Sequence, residues 1–320
     1  MAIKIGNIAL PCSVILAPMS GVSDVPFRQL VQKFGVGLVV SEMVASRAMI
    51  VENIKSLRKS DVSTTLGPAS VQLAGCEPEI MAEAAKLNED NGAQIIDINF
   101  GCPAKKIVNN YAGSAIMRDE NLAAKIIKAT VDAVKIPVTL KMRVGWDEET
   151  KNAPILAKMA EDLGVQMITV HGRTRCQFYS GKSDWNFVAR VKNVVKIPVV
   201  VNGDITSVES AVDALAASGA DGVMIGRGAY GKPWLLSQIA AYLQTGKITV
   251  APTRSELYNT VLSHYETMLE YYGIEVGVKM ARKHLGWYSA QMAYASEFRQ
   301  KINTCDDVAL IKQMIRAFFE

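Results

Sequence analysis

Eight short apolar runs rich in β-branched residues recur along the chain at intervals of about 30 residues, the length of one strand-plus-helix repeat. They are SVILAPM (13–19), GLVVSEM (37–43), ASVQLA (69–74), AQIIDIN (93–99), PVTLKMR (137–143), QMITVHG (166–172), PVVVNGD (198–204) and DGVMIGR (221–227). Most are continuously apolar, as expected of strands buried on both faces, and such strands pair in parallel with helices outside. The stretches between them, such as PEIMAEAAKLNEDNG (78–92), ENLAAKIIKATVDAV (120–134) and SVESAVDALAASGA (207–220), have helical length and amphipathic spacing. Eight β-then-α units fit a closed (β/α)8 TIM barrel better than a doubly wound sheet. The predicted fold class is therefore α/β: a TIM barrel over 1–245, its strands starting near residue 12, followed by a small all-α helical bundle over 246–320.

Local punctuation supports that register. GVGL, NGAQIID, LGVQMIT and SGADGVMIG each place Gly shortly before a strand, and KIPVTL and KIPVVV place Pro at a strand start, where its missing N–H is harmless. IKIGNIAL reads as a hairpin turning at Gly6-Asn7 and plugging the barrel bottom. After Ala251 the β-branched runs stop, and three helical stretches follow: RSELYNTVLSHYETMLEYYG, EVGVKMARKHLGWYSAQM and TCDDVALIKQMIRAFFE.

Apolar residues make up 49% and charged residues 21% of the chain, which excludes disordered and low-complexity classes. Five widely spaced cysteines without a CxxC pair argue against a disulfide framework or a zinc site, so a cytoplasmic protein with no metal is expected. No apolar stretch approaches the roughly 20 residues of a membrane span. The apolar segment from Ile8 to Met19 reads as a buried strand and not as a secretion signal, because only Lys4 flanks it and Pro11 interrupts it.

In this fold chemistry gathers at the C-terminal ends of the strands. Those ends carry Ala17-Pro18-Met19-Ser20, Gln72, Asn99-Phe100-Gly101-Cys102-Pro103, Lys141 with Arg143, His171, Asn202-Gly203-Asp204 and Gly226-Arg227-Gly228. The NGD and GRG segments close strands 7 and 8, where glycine lets backbone N–H groups approach a phosphate, and Arg227 adds charge. Lys141 aims at the barrel axis and admits three readings: a Schiff-base lysine, an ion pair with Asp97, or a cation beside the pyrimidine edge of a flavin with Gln72 as companion. Cys102, followed by Lys105 and Lys106, reads as an acid or a nucleophile.

The segments APMSGVSDVPFR, SEMVAS, VQLAG, DINFGCPAKK, AGSAIMRD, TLKMRVGW, HGRTR, VNGDI and MIGRGAYGKPW closely resemble the tRNA-dihydrouridine synthases, in order and across the whole barrel. The tail with ARKHLGWY is similar to the bacterial B-type branch. The resemblance implies an FMN-dependent, NADPH-driven reduction of a tRNA D-loop uridine to 5,6-dihydrouridine, with 1–245 as the FMN-binding catalytic domain and 246–320 as a tRNA-binding domain. It further implies that Pro18, Met19 and Ser20 contact the isoalloxazine, Gln72 and Lys141 its polar edge and His171 the flavin region. Asn202, Gly203, Asp204, Gly226 and Arg227 then hold the ribityl phosphate, and Cys102 is the proton donor. Ser20 stands where that motif commonly has alanine.

On this reading the uridine is extruded onto the flavin, hydride passes from flavin N5 to C6, and Cys102 protonates C5 from the opposite face. Asn99 and Arg143 lie where they could bond the uracil carbonyls, and Tyr179 could wall the base. Although the formal net charge is only +4, basic residues concentrate on the rim loops at Lys105, Lys106, Arg143, Arg173, Arg175, Lys182, Arg227 and Lys232. Together with Lys279, Arg282 and Lys283 in the tail, they are expected to form a groove for tRNA phosphates. No membrane association or obligate protein partner is evident. Two alternatives stay open: an FMN barrel oxidoreductase acting on a free pyrimidine, like dihydroorotate dehydrogenase, and a non-catalytic RNA-binding regulator.

Overall fold

A computed structural model describes residues 3–50 and 58–320. Strands β1 (Lys4–Ile5) and β2 (Ile8–Ala9) pair antiparallel, with Ile5 opposite Ile8 across the Gly6-Asn7 turn. The eight apolar runs become β3 (Val14–Leu16), β4 (Leu38–Val40), β6 (Ala69–Ala74), β7 (Ile95–Phe100), β8 (Val138–Arg143), β9 (Ile168–His171), β10 (Val199–Asn202) and β11 (Gly222–Ile225), and a two-residue strand β5 (Val44–Ala45) adds to β6. All the barrel pairings are parallel, in the order β4-β3-β11-β10-β9-β8-β7-β6, and β6 pairs back onto β4. The sheet is therefore closed, a TIM barrel.

Side-chain alternation divides each strand between two environments. Val14, Leu16, Val39, Val71, Ile96, Ile98, Leu140, Val170, Val201 and Ile225 face outward and are buried under the helices. On the inner face Ile15, Leu38, Ile95, Met167 and Val200 form one apolar cluster with Ile3, Ile5 and Leu10, so the β1–β2 hairpin and its flanks close the N-terminal end. Toward the other end the inner face turns polar: β6 contributes Gln72, β7 Asp97 and Asn99, β8 Thr139 and Lys141, β9 Thr169 and His171, and β10 Asn202. A dry floor under a polar ceiling places any ligand at the C-terminal mouth.

The outer layer comprises α1 (Val25–Lys33), α2 (Ser46–Ile50), α3 (Pro78–Asp90), α4 (Lys105–Val108), α5 (Glu120–Ala133), α6 (Ala153–Asp162), α7 (Trp185–Lys192), α8 (Val208–Ser218) and α9 (Leu235–Thr245). Starts are fixed by side-chain caps: Asp24 accepts from the Phe27 N–H at 3.0 Å, and Ser207 forms a reciprocal capping box with Ser210. The C-terminal part forms α10 (Arg254–Tyr272), α11 (Ile274–Ser289), α12 (Ala295–Thr304) and α13 (Val308–Phe319) around Val261, Tyr265, Met268, Leu285, Phe298, Ile302 and Ile315. Sequence periodicity foresees three of these four helices. It misses α12, which buries only Ala295, Phe298 and Ile302 and therefore shows too narrow an apolar stripe.

This bundle seats on α1 and the loops beside it. Phe27 meets the His264 and His284 rings at centroid distances of 5.7 and 5.5 Å, and Tyr230 stacks on Trp287 at 4.0 Å. The Tyr272 hydroxyl donates to Asp24 Oδ2 at 2.8 Å, and Lys283 donates to the Gly21 carbonyl. Among the described residues no helix is long and apolar enough to cross a membrane.

Candidate active site

A cavity of about 660 Å³ opens at the C-terminal mouth of the barrel, within the roughly 300–1,000 Å³ of cofactor pockets. Its walls include Pro18, Met19 and Ser20 after β3, Gln72, Asn99, Cys102, Lys141, Arg143, His171, Asn202, Gly203, Asp204, Gly226 and Arg227, with Tyr179 at the edge. Met43, Phe178, Ile205, Met224 and Tyr230 also line it, and the sequence gives none of them a role, because residues that only shape a wall carry no chemical signature of their own. A second cavity, of about 770 Å³, lies between the barrel's N-terminal side and α10, lined by Phe34, Trp234 and Gln238, away from these strand ends.

The cavity floor is a connected hydrogen-bond chain. Thr139 Oγ1 and Gln72 Nε2 donate to the two oxygens of Asp97 at 2.6 and 2.7 Å, and Asn99 Nδ2 donates to Gln72 Oε1 at 2.7 Å. Asn99 Oδ1 in turn accepts from the Gly101 and Cys102 N–H groups at 3.0 and 2.9 Å. The Cys102 carbonyl accepts from the Ser114 N–H and hydroxyl, at 3.1 and 2.9 Å. The cysteine loop is thus held from both sides by groups other than its sulfur, while the side chain borders the cavity.

This arrangement bears on the three readings of Lys141 and on the expected roles of Asn99 and Arg143. Lys141 does not ion-pair with Asp97: Asp97 is consumed by Gln72 and Thr139, and Lys141 Nζ donates to Asn202 Oδ1 at 3.2 Å. Asn99 and Arg143 both line the cavity and are also tied to the loops around it. Arg143 Nε donates to the Gly101 carbonyl and Nη1 to those of Thr174 and Phe178, at 2.7–2.9 Å, which leaves Nη2 without a hydrogen-bond partner among the described residues, and the Asn99 amide bridges Gln72 to the cysteine loop. Both brace the cysteine loop while bordering the cavity.

Burial is the main determinant of the charge states here. It lowers the Lys141 ammonium to about 8, with Arg143 pushing the same way and Asp97 opposing. Burial also raises the Asp97 carboxyl, against the hydrogen bonds from Thr139 and Gln72. His171 is held well below the ordinary histidine range by burial and then by Lys141, Arg143 and Arg173, so it is a neutral ring at pH 7. The mouth is a desolvated, cation-rich space with no acid within ion-pairing distance of Lys141 among the described residues, which suits a ligand that acquires negative charge.

The ends of β10 and β11 form a close-fitting cradle. Gly203 has φ +113°, and a Cβ there would meet Ser183 Oγ at 2.4 Å and His171 Cδ2 at 2.7 Å. Only glycine allows the backbone to run so near the histidine. Gly203→Ala is expected to lower stability by roughly 2–5 kcal/mol, combining left-handed strain with overpacking, as read by urea denaturation. The Asp204 carboxylate is engaged by the protein: Oδ2 accepts from Arg173 Nη2 at 2.7 Å and from the Ser183 N–H at 2.8 Å, and Arg227 lies 3.8 Å from Oδ1. Arg227 also lies 4.8 Å from the Tyr179 ring centroid, and Arg143 5.6 Å, so this exposed tyrosine is flanked by two cations at the rim.

The expected basic groove is only partly free. Lys105 and Lys106 are exposed at the start of α4, directly after the cysteine loop. Arg173, expected to meet RNA, is only 2% exposed and is spent on Asp204 and the carbonyls of Ser180 and Gly181. Nor do Lys279, Arg282 and Lys283 present one face. Lys279 pairs with Glu275 at 2.9 Å, Arg282 with Asp306 at 2.7 Å, and Lys283 is turned into the barrel–bundle junction against Gly21. Helical spacing places such residues on neighbouring turns, but Glu275 on the same helix, Asp306 between α12 and α13 and the Gly21 carbonyl of a barrel loop decide which charges remain open.

Comparison with known proteins agrees with this architecture. The family model described as dihydrouridine synthase (Dus) matches residues 15–320. A probable tRNA-dihydrouridine synthase of Rickettsia conorii is 62% identical over 318 residues, covering 99% of this chain and 96% of that protein. tRNA-dihydrouridine synthase B of Xanthomonas axonopodis pv. citri is 46% identical over 317 residues, covering 99% and 96%. Among solved structures, histamine dehydrogenase from Rhizobium sp. 4-9 superposes with a TM-score of 0.58 at 14% identity, covering 88% of this chain and 50% of that one, a likeness of fold.

Proposed function

The chain belongs to the dihydrouridine synthase family, and from that premise we propose that it reduces a D-loop uridine of tRNA to 5,6-dihydrouridine, with FMN seated in the barrel mouth and NADPH as reductant. The observation that carries this reading is the shared cavity: a desolvated ammonium without an acid partner, a neutral imidazole and a thiol on a braced loop all border one space of cofactor size. The residues fit the group. Lys141 and Gln72 would meet the polar edge of the ring, Pro18, Met19 and Ser20 its plane, His171 its flank, and the turns at Asn202-Gly203-Asp204 and Gly226-Arg227 its phosphate. The backbone serves the anion in the first turn, since the Asp204 carboxylate is occupied by Arg173.

The bound flavin supplies the hydride that adds to uracil C6. The chain supplies everything else. Lys141 offsets charge developing in the polar pocket, Tyr179 closes the rim against water, and the Cys102 thiol gives its proton to C5, then regains one from solvent. One hydride and one proton saturate the C5–C6 bond, so the step balances. A uridine stacked inside folded RNA cannot reach the cavity floor, so it must be extruded at a cost of a few kcal/mol. Residues 1–245 serve as the catalytic unit in this reading and 246–320 as the unit that helps seat the tRNA.

Dihydrouridine mapping of tRNA tests this reading. Cells lacking the protein should lose the modification at one or more D-loop uridines and regain it on complementation with the wild-type chain. An unchanged map would refute the assignment.

A further inference from the structure

Beside the cavity, two arginines share one aromatic ring and neither has an ion-pairing acid among the described residues. Trp146 follows β8 in the loop after Arg143, and the guanidinium groups of Arg118 and Arg175 lie 4.8 and 4.6 Å from its ring centroid. Arg175 also lies 4.9 Å from the ring of Phe178, and Phe178 borders the cavity. The loop is fastened by backbone bonds, the Arg175 N–H to Gly145 O and the Cys176 N–H to Trp146 O, each 2.9 Å. The rings thus hold the two guanidinium groups in place, running from the cavity wall outward.

Neither arginine makes an ion pair among the described residues, and Arg175 Nε is buried with no acceptor. The nearest acid in the same loop, Asp147, is turned back to accept from the N–H groups of Glu149 and Thr150 and from the Thr150 hydroxyl, although its charge still senses Arg118. Arg143 adds a further like charge nearby. Planar guanidinium groups held on aromatic faces beside a cavity, with their hydrogen-bond donors unspent, are suited to a phosphodiester.

We propose that Arg118 and Arg175, held by Trp146 and Phe178, form a phosphate subsite that grips the RNA backbone beside the extruded uridine. The proposal rests on the reading that the cavity receives a base from tRNA. It goes further in assigning Arg118, Trp146 and Phe178 a place in recognition, and in separating Arg175 from the neutralised Arg173.

The test uses the purified holoenzyme and an unmodified tRNA transcript, with equilibrium affinity measured across a salt series and turnover measured separately. Arg118→Gln and Arg175→Gln should each weaken tRNA binding about 3–10-fold and the double variant about 10–100-fold, with the salt dependence of binding falling by roughly one phosphate contact per arginine removed. Flavin content and its reduction by NADPH should not change, and kcat at saturating tRNA should stay within about threefold. Trp146→Phe should keep most of the affinity and Trp146→Leu should match the loss of an arginine. Wild-type affinity and salt slope in the double variant would overturn the subsite, as would a fall confined to kcat. A wild-type enzyme that binds tRNA through these arginines yet forms no dihydrouridine would instead overturn the activity reading and leave the subsite standing. Arg118→Gln alone, at an exposed side chain, serves if the Trp146 variants fail to fold.

Discussion

Cys102→Ala is expected to take up FMN and accept electrons from NADPH like the wild type, and to form dihydrouridine about 10²–10⁴-fold more slowly, the usual contribution of a positioned general acid. The separation follows from how the loop is built. Asn99 Oδ1 holds the backbone N–H groups of residues 101 and 102, and Ser114 holds the Cys102 carbonyl. Removing sulfur removes none of those bonds, so the cavity should keep its shape and lose only the thiol proposed as proton donor. Stopped-flow reduction by NADPH, compared with dihydrouridine formed per enzyme, separates the two half-reactions. Wild-type turnover in the variant would remove Cys102 from the chemistry. A variant that fails to hold flavin would show that the sulfur shapes the cofactor pocket instead.

Lys141→Met is expected to move stability and activity in opposite directions. Burial, reinforced by Arg143, lowers the lysine to about 8 in the folded chain, against about 10.4 in an unfolded one. Between those values the unfolded chain holds a proton that the folded chain has released, so wild-type stability rises with pH across about 8 to 10.4 and carries its full desolvation cost below about 8. Methionine should stabilise the flavin-free protein by roughly 1–3 kcal/mol at pH 7 and abolish that rise. The same change should weaken FMN binding and cut dihydrouridine formation by about 10²–10³-fold, as for loss of an electrostatic stabiliser. On the proposed placement, a flavin paired with Lys141 would raise the ammonium's pKa above about 8, so FMN affinity should be flat below pH 8 and fall above it. Urea denaturation and flavin fluorescence titration at pH 7 and 9 read both signs.

The barrel is readable in the sequence because its strands are buried on both faces. Continuous runs such as PVTLKMR and PVVVNGD mark β8 and β10 to within a residue or two. The strand-end residues are readable for the same reason: once strand and register are known, the polar residue at the C-terminal end has nowhere to point but the mouth, and Gln72, Lys141, His171 and Asn202 all border the cavity. Charge neutralisation escapes such a reading. Whether Arg173 is free depends on Asp204, thirty-one residues away and on another strand end, and Lys283 is disarmed by a carbonyl of the β3 loop. Helix α12 escapes because its buried positions are too few to set a period. The Arg118–Trp146–Arg175 stack unites three separate loops, which no local spacing could reveal.

The most direct test is a single anaerobic turnover. Purified protein reconstituted with FMN should turn from yellow to colourless on one equivalent of NADPH. Addition of unmodified tRNA should then restore the oxidised flavin spectrum, with one dihydrouridine formed per flavin reoxidised. A protein that takes up no FMN, or reduced flavin left untouched by tRNA, would contradict the placement of a flavin and a uridine together in the barrel mouth.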